Sequence, residues 1–138
     1  MKITTPFAAA AILLLSACSN NSSPTGPDTA RLGVPFRLSL GESSSIEREP
    51  LRIRFERVAT DSRCSPDVVC AWEGEVTASF RIQVGETSSQ SISLSTVTEP
   101  RQSFDGYELH FREAFPGPAL STRRIPPDRY RVELVVTK

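Results

Sequence analysis

The ten residues from Glu75 to Val84, EVTASFRIQV, alternate without a break: Val76, Ala78, Phe80, Ile82 and Val84 on one side, Glu75, Thr77, Ser79, Arg81 and Gln83 on the other. Successive side chains of a strand point to opposite faces, so this period of two predicts a half-buried β-strand. The pattern returns on both sides of it. Upstream, Leu51, Ile53 and Phe55 alternate with Arg52, Arg54 and Glu56, and Arg57-Val58 then breaks the phase, which predicts a bulge. Earlier still, Phe36, Leu38 and Leu40 share a phase in a strand that Pro35 assigns to a sheet edge, with turn residues from Gly41 to Ser45 behind it. Downstream, Gly85 to Ser89 makes a hairpin connection, Ile92 and Leu94 alternate with serines to about Val97, and Pro100 to Asp105 turns the chain. Tyr107, Leu109 and Phe111 then alternate with Glu108, His110 and Arg112 until Pro116-Gly-Pro118. Tyr130, Val132, Leu134 and Val136 form the last strand, and the approach to Tyr130 loosely resembles a tyrosine corner, a folding device.

No window has a helical period, and six or seven short strands separated by turn residues predict an all-β domain. The expected architecture is an antiparallel, immunoglobulin-like β-sandwich of about seven strands, or a partly open barrel.

Residues 61–74, DSRCSPDVVCAWEG, depart from this rhythm. Cys64 and Cys70 enclose five residues, and an exported chain is expected to close them into a disulfide. So small a ring stabilises by roughly 2 kcal/mol on the loop-entropy account. Carrying the phase of EVTASFRIQV backward puts Gly74, Trp72 and Cys70 on the inner side, so Trp72 is expected to pack against the disulfide, as in immunoglobulin-type sandwiches. Trp72, Gly74 and Tyr130 are therefore read as structural, with Trp72 as a ligand platform the alternative. The ring holds Pro66, Asp67, Val68 and Val69 with little entropy left to lose on binding, which makes them a candidate binding loop. The competing reading folds one of the two valines under the ring.

The Asp-Ser-Arg-Cys, Val-x-Cys and Trp-x-Gly elements resemble a pattern found in an uncharacterised family of small exported bacterial proteins, often lipoproteins, with a β-sandwich-like domain. The resemblance runs from about Val34 to the end of the chain and is specific only in residues 61–74. Where that pattern sets proline directly after the first cysteine, this chain has Ser65 and then Pro66. The resemblance implies no activity.

Residues 1–17 have the parts of a secretory signal: Lys2, an apolar run from Phe7 to Leu15, and small residues before the cut. The run is too short to span a bilayer. Leu15-Ser16-Ala17-Cys18 looks like a bacterial lipobox, in which Cys18 receives the lipid and becomes the new N-terminus. Several acyl chains on one residue anchor a protein stably. Ser19 after Cys18 resembles the default outer-membrane sorting pattern, so the expected location is the cell envelope, at the outer membrane. Residues 18–33 are polar and read as a flexible tether, leaving 34–138 as the β-domain. Charges balance at 16 against 16, and 15 against 16 once Lys2 is removed, which speaks against nucleic acid as a partner.

Catalytic chemistry finds little purchase. His110 is the single histidine, on an outward strand position, and no serine sits in a Gly-x-Ser-x-Gly elbow. Zinc needs about four ligands, which Cys64, Cys70 and His110 do not reach. Asp61, Asp67, Glu73 and Glu75 form the densest acidic group, a candidate for calcium or for a glycosidase carboxylate pair, although Asp61 and Asp67 read first as turn residues. Arg52, Arg54, Arg112 and Arg131 fall on outward phases with Glu56, Glu108 and Glu133, readable as paired surface charge or as a basic binding strip on one face. The sequence thus points to a non-enzymatic binding module without cofactor, metal or catalytic residues, held to the membrane through Cys18 and contacting an envelope or extracellular protein or ligand. An inhibitor of an exported protease is the alternative, and a metal-dependent hydrolase ranks third.

Overall fold

The computed structural model describes residues 29–138. The expected signal peptide at 1–17, the lipid attachment at Cys18 and most of the expected tether at 18–33 lie outside the described residues. Nine strands follow in order: β1 (Thr29–Ala30), β2 (Phe36–Ser39), β3 (Ser43–Ile46), β4 (Leu51–Asp61), β5 (Val76–Val84), β6 (Ser88–Ser95), β7 (Arg101–Phe104), β8 (Tyr107–Phe115) and β9 (Arg131–Thr137). They form a five-stranded sheet in the order β1-β3-β4-β5-β6 and a four-stranded sheet in the order β2-β9-β8-β7. All pairs are antiparallel except β1 with β3. The sheets face each other as a sandwich and do not close into a barrel.

Alternation explains the core. Leu51, Ile53 and Phe55 of β4, Val76 to Ile82 in the inward phase of β5, Leu109 and Phe111 of β8, and Val132, Leu134 and Val136 of β9 are buried. The Phe80 ring lies 5.8 Å from that of Phe55 and meets Phe111 edge-on at 5.5 Å, so one aromatic line crosses from sheet to sheet. The broken phase after Phe55 is a register shift, followed by a second between Val58 and Thr60, and β4 runs on to Asp61.

The described residues hold two strands more than the expected seven, and β1, β3 and β7 have no counterpart among the strands the sequence shows. β3 (SSSI) lies where turn residues were expected, and β7 (RQSF) where the chain was expected to turn. Neither has enough apolar residues to show a period, and each is held by its neighbour's ladder. β1 also draws Ala30 into the core, so the sheet takes in residues upstream of Val34.

The connections sort to two poles. The β4–β5, β6–β7 and β8–β9 connections share one pole, tied by bonds from Thr98 to Glu75 and from Arg63 to Pro116. The other pole gathers the β3–β4, β5–β6 and β7–β8 turns and Lys138, whose Nζ meets Glu49 at 2.8 Å while Tyr107 donates to the same carboxylate at 2.6 Å.

Candidate functional site

The β4–β5 connection, residues 62–75, is a loop with a pinned neck. Ser62 N donates to Glu75 O at 2.9 Å, and Glu75 N donates to Ser62 Oγ at 3.1 Å. Gly74 sits in this neck, where a Cβ would fall 1.8 Å from the Ser62 carbonyl oxygen, so only glycine lets the two backbones pass. Inside the loop Cys64 and Cys70 form the expected disulfide, and Val68 N closes a turn onto Ser65 O at 3.2 Å.

Trp72 corrects the sequence reading. It does not pack against the disulfide but stands 76 % exposed. The strand phase cannot be carried back from Val76, because the neck ends the strand and the chain leaves the sheet at Glu75. The disulfide likewise stays within one loop rather than joining the sheets. Val68 is 45 % exposed and Val69 wholly so; neither folds under the ring. Pro66 is exposed at the turn.

Beneath the loop lies a polar clasp organised by Arg63, which in the sequence stands out only as part of the Asp-Ser-Arg-Cys element. Arg63 Nε and Nη2 grip both oxygens of Asp61 at 2.9 and 2.7 Å, and Nη1 donates to the carbonyls of Ala114 and Pro116, both at 2.9 Å. Tyr130 Oη donates to Asp61 Oδ2 at 2.8 Å. The Asp61 residue is exposed through its backbone, yet its side chain and that of Arg63 are only 16 % and 15 % accessible. Burial pushes the Asp61 carboxyl up, but the bonds from Arg63 and Tyr130 outweigh it and hold the group below its ordinary value. Burial first, and the Asp61 carboxylate second, push the Tyr130 phenol to about 12. Tyr130 thus reaches the opposite sheet through a side-chain bond.

Asp67 is drawn into the scaffold as well, accepting from Ser121 N at 2.9 Å and Ser121 Oγ at 2.6 Å, which lower its carboxyl. That bond links the disulfide loop to the β8–β9 connection. Between the two lies an open cleft of about 380 Å³ whose charged lining is Asp61, Arg63, Arg123 and Arg124. Three guanidinium groups against one carboxylate leave it at +2 on a chain that is neutral overall. Arg63 is consumed by the clasp, whereas Arg123 and Arg124 face the cleft without a carboxylate partner among the described residues. A second hollow, about 400 Å³, lies on the other flank of Arg63 and is lined by Glu73, Gly74, Val97 and Arg112.

The remaining candidates are dispersed. Of the acidic group, Asp61 is held by Arg63, Asp67 by Ser121, and Glu75 by Thr98, whose backbone N–H at 2.9 Å is the main cause of its lowered carboxyl. Among the described residues no three His, Cys, Asp or Glu side chains gather as a metal site would require. His110 is half-buried between Arg101 and Arg112, and burial followed by those charges lowers its pKa. The arginines do not form one strip: Arg52 and Arg54 are on β4, Arg112 and Arg131 on β8 and β9 of the other sheet. Glu133 takes Arg37 at 3.0 Å and Arg112 at 3.8 Å, and Glu56 takes Arg81 at 2.6 Å. Compared with known proteins, the chain matches no family model, no curated protein and no solved structure.

Proposed function

We propose that this chain is a non-enzymatic binding module, lipid-anchored at the cell envelope through Cys18, that engages another envelope protein with its loop pole. One observation carries the reading: Val68, Val69 and Trp72 are exposed together on a loop fixed by a disulfide, a pinned neck and the Asp67–Ser121 bond. An exposed tryptophan beside two exposed valines resembles the anchor of a protein interface. The loop has little freedom left to lose, so more of the contact energy shows as affinity. The lipobox and the resemblance to exported lipoproteins support the location, and the Arg123–Arg124 cleft supplies a cationic flank. The protease-inhibitor reading ranks second. A protease cleft receives an extended segment, whereas Ser65 to Val68 is a hydrogen-bonded turn.

The test is a crosslinking pull-down from the native envelope with the full chain. Val69→Ser with Trp72→Ala is expected to lose the captured protein, while Arg52→Ala with Arg54→Ala on the sheet face keeps it. The reverse result would move the site to the charged sheet. Asp67 is unsuitable for this test because it braces Ser121. Cys18→Ala is expected to abolish labelling by a fatty-acid analogue; equal labelling of that variant would refute the anchor.

A further inference from the structure

Four strands border the two sheets, and three are protected against pairing with another chain. β1 is two residues long, β2 follows Pro35 and carries Arg37, and β7 is four residues long and opens with Arg101. Short length, proline and charge are the usual devices that keep an edge from adding a strand. β6 has none of them. Its eight residues, SSQSISLS, contain no charge and no proline, and they pair with β5 from Ser88 to Ser95 without a register shift.

The ladder shows which backbone groups of β6 are free. Thr96 N bonds inward to Val76 O at 3.0 Å, whereas Ser95 N turns away from β5 and bonds Glu99 O at 3.0 Å. Both backbone groups of a residue in an antiparallel strand point to the same side, and the side alternates along the chain. The even residues of β6 therefore serve β5, and Ser89, Ser91 and Ser93 direct their N–H and C=O groups outward. No backbone or side-chain group among the described residues meets them there.

We infer that the outer edge of β6 pairs antiparallel with β6 of a second copy of this chain, across a two-fold axis at Ser91. Such an interface must be self-complementary. An edge bearing charge would repel its own image, but here every outward pair is serine against serine. Of the possible registers, the one centred on Ser91 engages all three free residues: Ser89 with Ser93 of the second copy, Ser91 with Ser91, and Ser93 with Ser89. Each such pair exchanges two bonds, so the contact forms about six. The two five-stranded sheets become one of ten strands. Ser91 Oγ already donates to Glu56 at 3.1 Å on the outer sheet face, and this geometry leaves that bond in place. Serine side chains add little apolar area, so the contact belongs with small, transient interfaces below about 1,200 Å². Confinement of both copies at one membrane would raise their effective concentration. The edge is separate from the loop pole and does not depend on what binds there.

Covalent trapping suits a transient contact. The full chain carrying Ser91→Cys is exported in a bacterial host, oxidised mildly in the intact envelope, quenched with an alkylating reagent and run without reductant. Facing residues of a hydrogen-bonded antiparallel pair have Cα atoms about 5.5 Å apart, within disulfide reach. Ser91→Cys is therefore expected to give a linked dimer well above the background of the unsubstituted chain. Ser93→Cys is expected to stay at that background, because its image lies four residues along the strand, about 14 Å away. Adding Ser89→Lys with Ser93→Lys to Ser91→Cys sets lysine opposite lysine twice and is expected to abolish the dimer. Adding Ser89→Lys with Ser93→Glu sets opposite charges face to face and is expected to keep it. The inference is overturned if Ser91→Cys gives no dimer, if Ser93→Cys links equally well, if the lysine pair changes nothing, or if Ser91→Cys links to a different protein instead.

Discussion

The Tyr130 hydroxyl donates to the Asp61 carboxylate at 2.8 Å, joining the start of β9 in one sheet to the end of β4 in the other. Arg63 holds the same carboxylate from the far side, so the mouth of the sandwich is shut by a polar bond network. Breaking one member leaves the others partly buried and unsatisfied. Arg63→Ala is expected to cost roughly 1–3 kcal/mol in urea unfolding. A loss within error would show that water replaces the guanidinium freely.

The pH dependence follows from the lowered Asp61 carboxyl. A carboxylate whose folded pKa lies below its unfolded value, about 3.9, contributes stability above that pH and loses it as pH falls through the lowered value. Asp61→Asn is therefore expected to lower the melting temperature at neutral pH and to flatten its fall below about pH 4. Asp67 and Glu75 are shifted in the same direction and keep part of the slope. An unchanged acid profile would refute the clasp as a contributor.

At the alkaline end the sign reverses. The Tyr130 phenol, raised to about 12, favours the folded state fully below the unfolded tyrosine value near 10 and ceases to do so as pH rises toward the folded value. The chain has two tyrosines, and Tyr130→Phe is expected to remove the later of two phenolate transitions in an absorbance titration. Both phenols are raised, that of Tyr107 first by its bond to Glu49, so loss of the earlier transition would make Tyr107 the higher of the two.

Gly74→Ala and Gly117→Ala make a matched pair. A Cβ at Gly74 collides with the Ser62 carbonyl, whereas one at Gly117 meets nothing within 4 Å. The first is expected to destabilise by about 2 kcal/mol or more, and the second to stay within about 0.5 kcal/mol. Equal melting temperatures would mean that the neck opens without cost.

Trp72 is expected to be quenched nearly as readily by acrylamide as a free indole, and Trp72→Ala to move stability by no more than about 0.5 kcal/mol. Protected emission would show the loop folding back onto the domain.

What could be read in advance divides along physical lines. Strands whose inner face is wholly apolar, β4, β5, β8 and β9, show their burial in the chain itself, down to the bulge after Phe55. The short polar strands β3 and β7 do not, because their conformation comes from partners distant in sequence. Trp72 departs from the strand phase for a related reason: a local period cannot reveal that Ser62 and Glu75 close a neck. Phase gives in or out and not which sheet, so it cannot divide Arg52 and Arg54 from Arg112 and Arg131. Arg63 reaches carbonyls 51 and 53 residues away, a relation no spacing carries.

The short parallel pairing of β1 with β3 has a mechanical consequence. Thr29 pairs with Ser45, which pairs with Arg52, nine residues along β4 from Asp61, so the chain joins the domain roughly 30 Å from the loop pole. A load applied upstream of Thr29 falls first on a two-residue ladder and the Glu47–Ala30 backbone bond at 2.7 Å. That seam is expected to peel before either sheet yields, paying out residues 29–32, about 14 Å of chain, until the Gly33 N–Val136 O bond at 2.7 Å takes the load, while the sandwich stays shut. Pulling single molecules between the upstream segment and a handle on the loop would show a small early step ahead of the main rupture. A single rupture would mean that β1 is as strong as the sheets it borders.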